Sequence, residues 1–280
     1  MTDAEHRARP DDLAASVALA KEGDRAALAR VVRAVQPDVY RLALRFLWHP
    51  QDAEDATQEI LIRVFTRLST FRGDSSFRTW VYRVASNALL TIKKSRAEHR
   101  VMNFESFAED LDRGLSDRTY TPPENVEKAL VLEEIKVGCT LAMLLCLDRP
   151  HRLAYILGEI LELDHREAAS ILEIQPATFR KRLSRARARI TGLMQAKCGL
   201  FDRNNACRCH RRAETAIQLG RVDPHHLLFA SAAEQARRFP SVLEKIRELE
   251  GARRAAALYR SNQTPEARGE FTDVVLKLLK

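Results

Sequence analysis

Apolar side chains return every third or fourth residue almost throughout this chain, and runs of alternating β-branched residues are absent. A repeat near 3.6 collects such side chains on one face of an α-helix, whereas a strand needs a repeat of two. The pattern therefore predicts an all-α fold with no sheet. Proline and loop chemistry divide the chain into a first helical block at about 11–97, a polar stretch at 98–129 ending in TPPEN, a second block at 130–196, and a Cys-containing helical extension at 197–280. In that extension the spacing predicts helices at about 211–219, 225–237, 241–260 and 264–278. A chain of 280 residues has room for two or three domains.

In the first block, DAEDATQEILIRVFTRL at 52–68 places Asp52, Asp55 and Glu59 on one side of a helix and Ile60, Leu61, Val64, Phe65 and Leu68 on the other. Charge patterning alone makes the acidic side a solvated face; a docking face for a basic partner is the alternative. The next segment, FRGDSSFRTWVYRVASNAL at 71–89, crowds Phe71, Phe77, Trp80 and Tyr82 together with Arg72, Arg78 and Arg83. A core helix gains nothing from guanidinium groups set among its aromatics. A surface that grips an unpaired nucleic-acid strand gains from both, since stacking contributes roughly 1 to 3 kcal/mol per base. The spacing of Phe77, Trp80 and Val84 also fits one buried stripe, which suits Trp80, while Phe71 and the Arg72–Ser76 loop fit a nucleic-acid contact better.

The second block ends in LDHREAASILEIQPATFRKRLSRARARITGLM, 163–194. Asp164 followed by Glu167 marks a helix start, and Ile174, Gln175 and Pro176 form a turn into a second helix. There Phe179, Leu183, Ala186, Ile190, Leu193 and Met194 make an apolar stripe. Arg180, Lys181, Arg182, Arg185, Arg187 and Arg189 cover the rest with no acid among them. The result is a helix-turn-helix whose second helix is basic. Like charges so placed repel unless an anion neutralises them.

A formal charge of +8 agrees with an anionic partner, nucleic acid or a membrane surface. The N-terminal MTDAEHRARP carries no apolar segment, and the longest apolar run, LAMLLCL at 141–147, is far short of the roughly 20 residues that span a bilayer, so a cytoplasmic protein with no membrane partner is expected. The five cysteines, an odd number, argue against a disulfide framework. No HExxH, Gly-rich phosphate loop or GxSxG occurs, which argues against an enzyme.

Taken together, EGDRAALARVV, PDVYRLALRFL, DAEDATQEILIRVF and FRGDSSFRTWVYRVASNAL, followed by LDRPHRLAYILGEILELDHREAASILEIQPATFRKRLSRARARI, resemble the extracytoplasmic-function class of bacterial RNA polymerase sigma factors over roughly 22–94 and 140–194. The first set matches the family's region 2 and the second its region 4. The resemblance implies that the acidic helix, through Asp52, Asp55, Gln58, Glu59 and Phe65, docks on the β′ clamp helices of core RNA polymerase. It implies that the aromatic segment, with Phe71, Arg72, Gly73, Asp74, Ser76, Arg78, Trp80, Arg83 and Asn87, opens the promoter's minus-ten element. It further implies that Thr178, Arg180, Lys181, Arg185 and Arg187 meet the duplex at the minus-thirty-five element, with Arg187 and Arg189 nearer the phosphates. Two positions depart from the family pattern: Thr91 stands where many members carry an acid, and Glu173 where the turn often carries glycine. A stand-alone helix-turn-helix regulator is the rival reading, which leaves the acidic helix and the aromatic loop without a role.

The extension lies outside the resemblance and suggests either control in cis or a separate anti-sigma partner. No cofactor is required. Cys198, Cys207, Cys209 and His210 form a candidate zinc set, although Cys-x-Cys spacing and the adjacency of Cys209 and His210 fit one ion poorly. Reduced thiols in a capping loop are the alternative.

Overall fold

The computed structural model describes residues 10–93, 98, 103–118, 120–267, 269 and 271–278. The helices are α1 (Pro10–Lys21), α2 (Arg25–Leu47), α3 (Pro50–Thr66), α4 (Phe77–Thr91), α5 (Phe104–Arg113), α6 (Lys128–Leu145), α7 (Arg149–Tyr155), α8 (His165–Ile171), α9 (Pro176–Lys197), α10 (Cys209–Gln218), α11 (Ala233–Arg247), α12 (Gly251–Arg260) and α13 (Thr272–Leu278). Among the described residues the only β pairing is an isolated bridge between Cys198 and Cys207. The all-α expectation is met. The N-terminal residues 1–9 read above lie outside the described residues.

Two compact units emerge: one of residues 1–95, 169–175 and 266–280, the other of residues 96–168 and 176–265. This differs from the division that loop chemistry suggests. The polar stretch after residue 98 is not a bare linker, because FESFAEDL forms the amphipathic α5, buries Phe107 and Leu111, and packs on α9. The extension is not a separate domain either. Residues 197–265 belong to the second unit and the last segment belongs to the first.

In the first unit, Asp24 caps α2 by accepting the Ala27 amide at 2.8 Å. Only Trp48 and His49 separate α2 from α3, and Pro50 opens α3, where a missing amide hydrogen is harmless. So short a connection makes the two packed helices antiparallel. α4 packs across both, and α13 also rests on α2 and α3.

The second unit is organised around α6, whose Glu133, Glu134 and Lys136 are all buried. Buried charges persist only when paired or hydrogen-bonded. Here the Glu134 carboxylate accepts the amides of Leu228, Phe229 and Ala230 at 2.9, 2.8 and 2.9 Å. Lys136 pairs with Glu133 at 2.9 Å, donates to the Ser261 carbonyl at 3.2 Å, and lies 3.7 Å above the Phe239 ring. Gln263 donates its amide to Glu133 and accepts the amides of Ser231 and Ala232 on its side-chain oxygen.

These bonds explain where the expected helices of the extension fail. The 225–237 helix does not start until Ala233, because the amides before it are bound by Glu134 and Gln263. The 241–260 helix breaks between Arg247 and Gly251, where Gly251 takes a φ of 46°. The last helix shrinks to α13, whereas the first, α10, lies close to its expected span.

Candidate nucleic-acid and polymerase interfaces

The loop before α4 is built on a ring cluster. Phe71 meets Phe77 edge-on at 5.3 Å and Trp80 at 5.6 Å, and Phe77 stacks on Trp80 at 5.7 Å. Gly73 sits at φ 86°, a conformation that disfavours any side chain, and Ser76 caps α4 by accepting the Thr79 amide at 3.1 Å. Arg72, Gly73, Asp74 and Ser76 are exposed on this base. Phe71 is half-buried, so it supports the loop as much as it faces solvent.

The buried face of α4 is Phe77, Val81, Ala85, Ala88 and Leu89, not the Phe77, Trp80 and Val84 stripe expected from spacing. Trp80, Arg83 and Asn87 recur at three and four residues and share the outer face, with Asn87 exposed. Within the first unit, Arg83 donates to the Ser170 hydroxyl at 2.9 Å and Asn87 to the Glu173 carboxylate at 2.8 Å. Arg78 turns away from this face. It pairs with the buried Asp38, which also binds Arg41 at 2.7 Å, so Arg78 holds α4 to α2 rather than facing a strand. Burial, and then the Asp38 charge, push the neighbouring Tyr82 phenol up to about 12.

On α3, Asp55 is exposed and Asp52, Gln58 and Glu59 are half-exposed, which leaves the acidic stripe facing water. Glu59 pairs with Arg63 one turn on, a surface contact of little energetic weight. Phe65 corrects the expected set: it is 4% exposed and belongs to the core.

Asp164 starts α8 by accepting the Arg166 amide at 2.8 Å, and such amide bonds, Arg166 first, hold its carboxyl below the usual range. The turn closes with the Ile174 amide on the Ala169 carbonyl at 3.0 Å, and Glu173 takes a φ of 52°. That left-handed position is the reason glycine suits it. Pro176 then opens α9, and Phe179, Leu183, Ala186, Ile190 and Met194 are buried. Thr178, Arg180, Lys181, Ser184, Arg185 and Arg189 are exposed, with a shallow groove lined by Ala177, Arg180, Lys181, Ser184 and Arg185. Arg187 is the exception. Its Nε donates at 2.6 Å to the buried Glu159 of the π turn at Ile156–Ile160, which removes it from the DNA-facing row.

The Gly199 amide binds the Cys207 carbonyl at 2.9 Å beside the Cys198–Cys207 bridge, and Cys209 packs against the Val131 and Ile135 cluster. Burial pushes the Cys207 thiol up to about 11, and burial followed by the three neighbouring thiols raises that of Cys139. Cys139 on α6 is thus the fourth thiol of this neighbourhood, one turn beyond Ile135, a spacing that could have signalled it. His210 is exposed instead. Consecutive helical residues point in different directions, so Cys209 turns inward and His210 outward. Among the described residues, no three His, Cys, Asp or Glu side chains are grouped to hold a metal ion, and the expected zinc set is not assembled. All five cysteines are free.

No described helix is long and apolar enough to cross a membrane. Residues 31–98 match the Sigma-70 region 2 family and residues 138–190 match Sigma-70, region 4. The RNA polymerase sigma-H factor of Pseudomonas aeruginosa is 31% identical over 177 residues, which is 62% of this chain and 90% of that one. The ECF RNA polymerase sigma-E factor of Escherichia coli K12 is 31% identical over 179 residues, with the same shares. A solved structure of CnrH in complex with the cytosolic domain of CnrY aligns with a TM-score of 0.46 at 21% identity, covering 67% of this chain and 98% of that chain. The chain belongs to the sigma-70 family of RNA polymerase sigma factors, in its extracytoplasmic-function class. It is a promoter-specific transcription initiation factor that works with RNA polymerase, and the class consists of DNA-binding factors rather than enzymes.

Proposed function

We propose that three surfaces divide this work. The acidic stripe of α3, through Asp52, Asp55, Gln58 and Glu59, docks on the β′ clamp helices of core polymerase. The N-terminal half of α9 enters the major groove at the minus-thirty-five element with Thr178, Arg180, Lys181 and Arg185, as recognition helices do. Loop residues Arg72–Ser76 and the Trp80, Arg83 and Asn87 face receive a base from the opened minus-ten element. Extruding that base costs a few kcal/mol, which stacking and phosphate contacts offset. The protein acts in the cytoplasm, and control comes from an anti-sigma partner or from its own extension.

The observation that carries this reading is the exposed, acid-free row Thr178, Arg180, Lys181 and Arg185 on a helix whose opposite face is fully buried. Run-off transcription with core polymerase tests it. The Asp55→Lys, Glu59→Lys double variant is expected to lose core binding while keeping its melting temperature, and Arg72→Ala to bind core but leave promoter thymines unreactive to permanganate. Promoter recognition by the chain without polymerase would instead establish the stand-alone regulator.

A further inference from the structure

The second family match ends at residue 190, yet a helix from the extension, α12, joins the seat on which α9 rests. That seat is the π turn Ile156–Ile160. A β-carbon on Gly158 of this turn would stand 2.8 Å from Leu183 Cδ2 and 3.3 Å from Phe179 Cζ, so its backbone lies directly against the reading half of α9. From the same turn the Glu159 carboxylate accepts Arg187 Nε at 2.6 Å, which ties the turn to α9 a second time.

α12 packs on both the π turn and α9. Its last residue, Arg260, donates to the Glu159 carbonyl at 2.8 Å and pairs at 2.9 Å with Glu162, just beyond the turn. A helix end leaves its last carbonyls without intrahelical donors, and a basic side chain placed there supplies one. Tyr259 meets Tyr155, the residue before the turn, edge-on at 5.4 Å, and both are 1% exposed. α12 is anchored in turn, since Asn262 donates to the Thr140 hydroxyl of α6 at 2.7 Å and Lys136 of α6 to the Ser261 carbonyl at 3.2 Å. Arg180, Lys181 and Arg185 stay exposed with α12 in place, so the contact supports the reading face without covering it.

We infer that α12 is part of the promoter-reading unit: it holds the π turn on which α9 is seated, and Arg260 is a positioning residue that acts on the reading side chains through that turn. The inference rests on the duplex role proposed for α9. A base contact tolerates little displacement, because its hydrogen bonds need close and well-aligned partners, whereas attraction to phosphate is broad. Loosening the seat therefore costs discrimination between sequences before it costs affinity for DNA as such.

The test compares holoenzymes assembled from core polymerase and the full chain, parent or Arg260→Ala. Each is measured on a promoter duplex that the parent holoenzyme selects from a random-sequence library, and on the same duplex with its minus-thirty-five element scrambled. Arg260 is exposed, so its removal leaves the apolar core of the unit in place. Arg260→Ala is expected to lower the ratio of the two affinities about tenfold, the scale of one lost base contact, with affinity for the scrambled duplex and for core staying at the parent values. Arg260→Lys, which keeps a donor for the Glu159 carbonyl, should recover most of the ratio. Amide exchange should quicken at Leu161 and Leu163, whose amides bond the Ile156 and Leu157 carbonyls. In an Arg180→Ala background the same change at Arg260 should lower the ratio less, because a contact that it positions is already gone. An unchanged ratio would overturn the inference and leave α12 as packing alone. A uniform loss on both duplexes would also overturn it, since a phosphate contact or general unfolding gives that result. Equal affinity of the parent for both duplexes would overturn the reading role of α9 and the seat with it.

Discussion

On α9 the charges of Arg180, Lys181, Arg185 and Arg189 stand in solvent, whereas on α6 those of Glu133, Glu134 and Lys136 are buried. Both helices carry charge at helical spacing, and pattern alone would give each a solvated face. The difference comes from what covers them. Nothing described covers the outer face of α9, which leaves it available to an anion, while residues 228–230, Phe239, Ser261 and Gln263 bind the charged groups of α6. A charged row is therefore a binding surface only where no other part of the chain returns to it. Arg187 shows this within α9 itself, since Glu159 has already claimed it.

The largest effect is expected on α6. Glu134→Ala leaves two buried amides and one part-buried amide without an acceptor and should destabilise the second unit by about 3 kcal/mol, given roughly 1 to 3 kcal/mol for each orphaned buried group. Glu134→Gln, which keeps one acceptor oxygen, should lose less. Thermal unfolding checks both, and a Glu134→Ala protein as stable as the parent would put α6 on the same footing as α9.

Within α9 the comparison sharpens to two arginines. Arg180→Ala is expected to weaken minus-thirty-five duplex binding by about 1 to 3 kcal/mol with an unchanged melting temperature. Arg187→Ala is expected to do the reverse, lowering stability by about 1 to 2 kcal/mol because the buried Glu159 loses its half-exposed cationic partner. Paired duplex-binding and unfolding measurements would expose an exchange of these phenotypes.

A smaller, pH-dependent effect falls on α5. Hydrogen bonding from Arg221, and its charge with that of Arg212, hold the Asp110 carboxyl below its ordinary range despite partial burial. A carboxyl lowered on folding stabilises fully above its unfolded pKa and loses that contribution as pH falls through the folded value. Stability should therefore drop in acid below the ordinary aspartate range, and Asp110→Asn should flatten that limb of the melting-temperature profile. An unchanged limb would mean that Asp110 is not the group titrating there.

The smallest effect is expected from chelation. With no metal-holding group among the described residues, EDTA should leave the melting transition in place, and protein purified without a His tag should carry less than about a tenth of an equivalent of zinc. Stoichiometric zinc with a loss of stability on its removal would establish a site, with Cys139 as the fourth ligand in place of the exposed His210.

The sequence by itself determined the features that rest on neighbours within a few residues: the helical class, the Asp164 start of α8, the Pro176 start of α9, and the solvent-facing acids of α3. These follow from spacing and capping, whose partners lie within one helical turn. Tertiary structure alone decided that Arg78 serves Asp38, forty residues away, that Arg187 serves Glu159, and that Glu134 binds amides ninety-four residues on. It also returned residues 266–280 to the first unit. Periodicity tells which residues share a face, but a buried charge is stable only with its partner, and that partner is set by how distant segments pack.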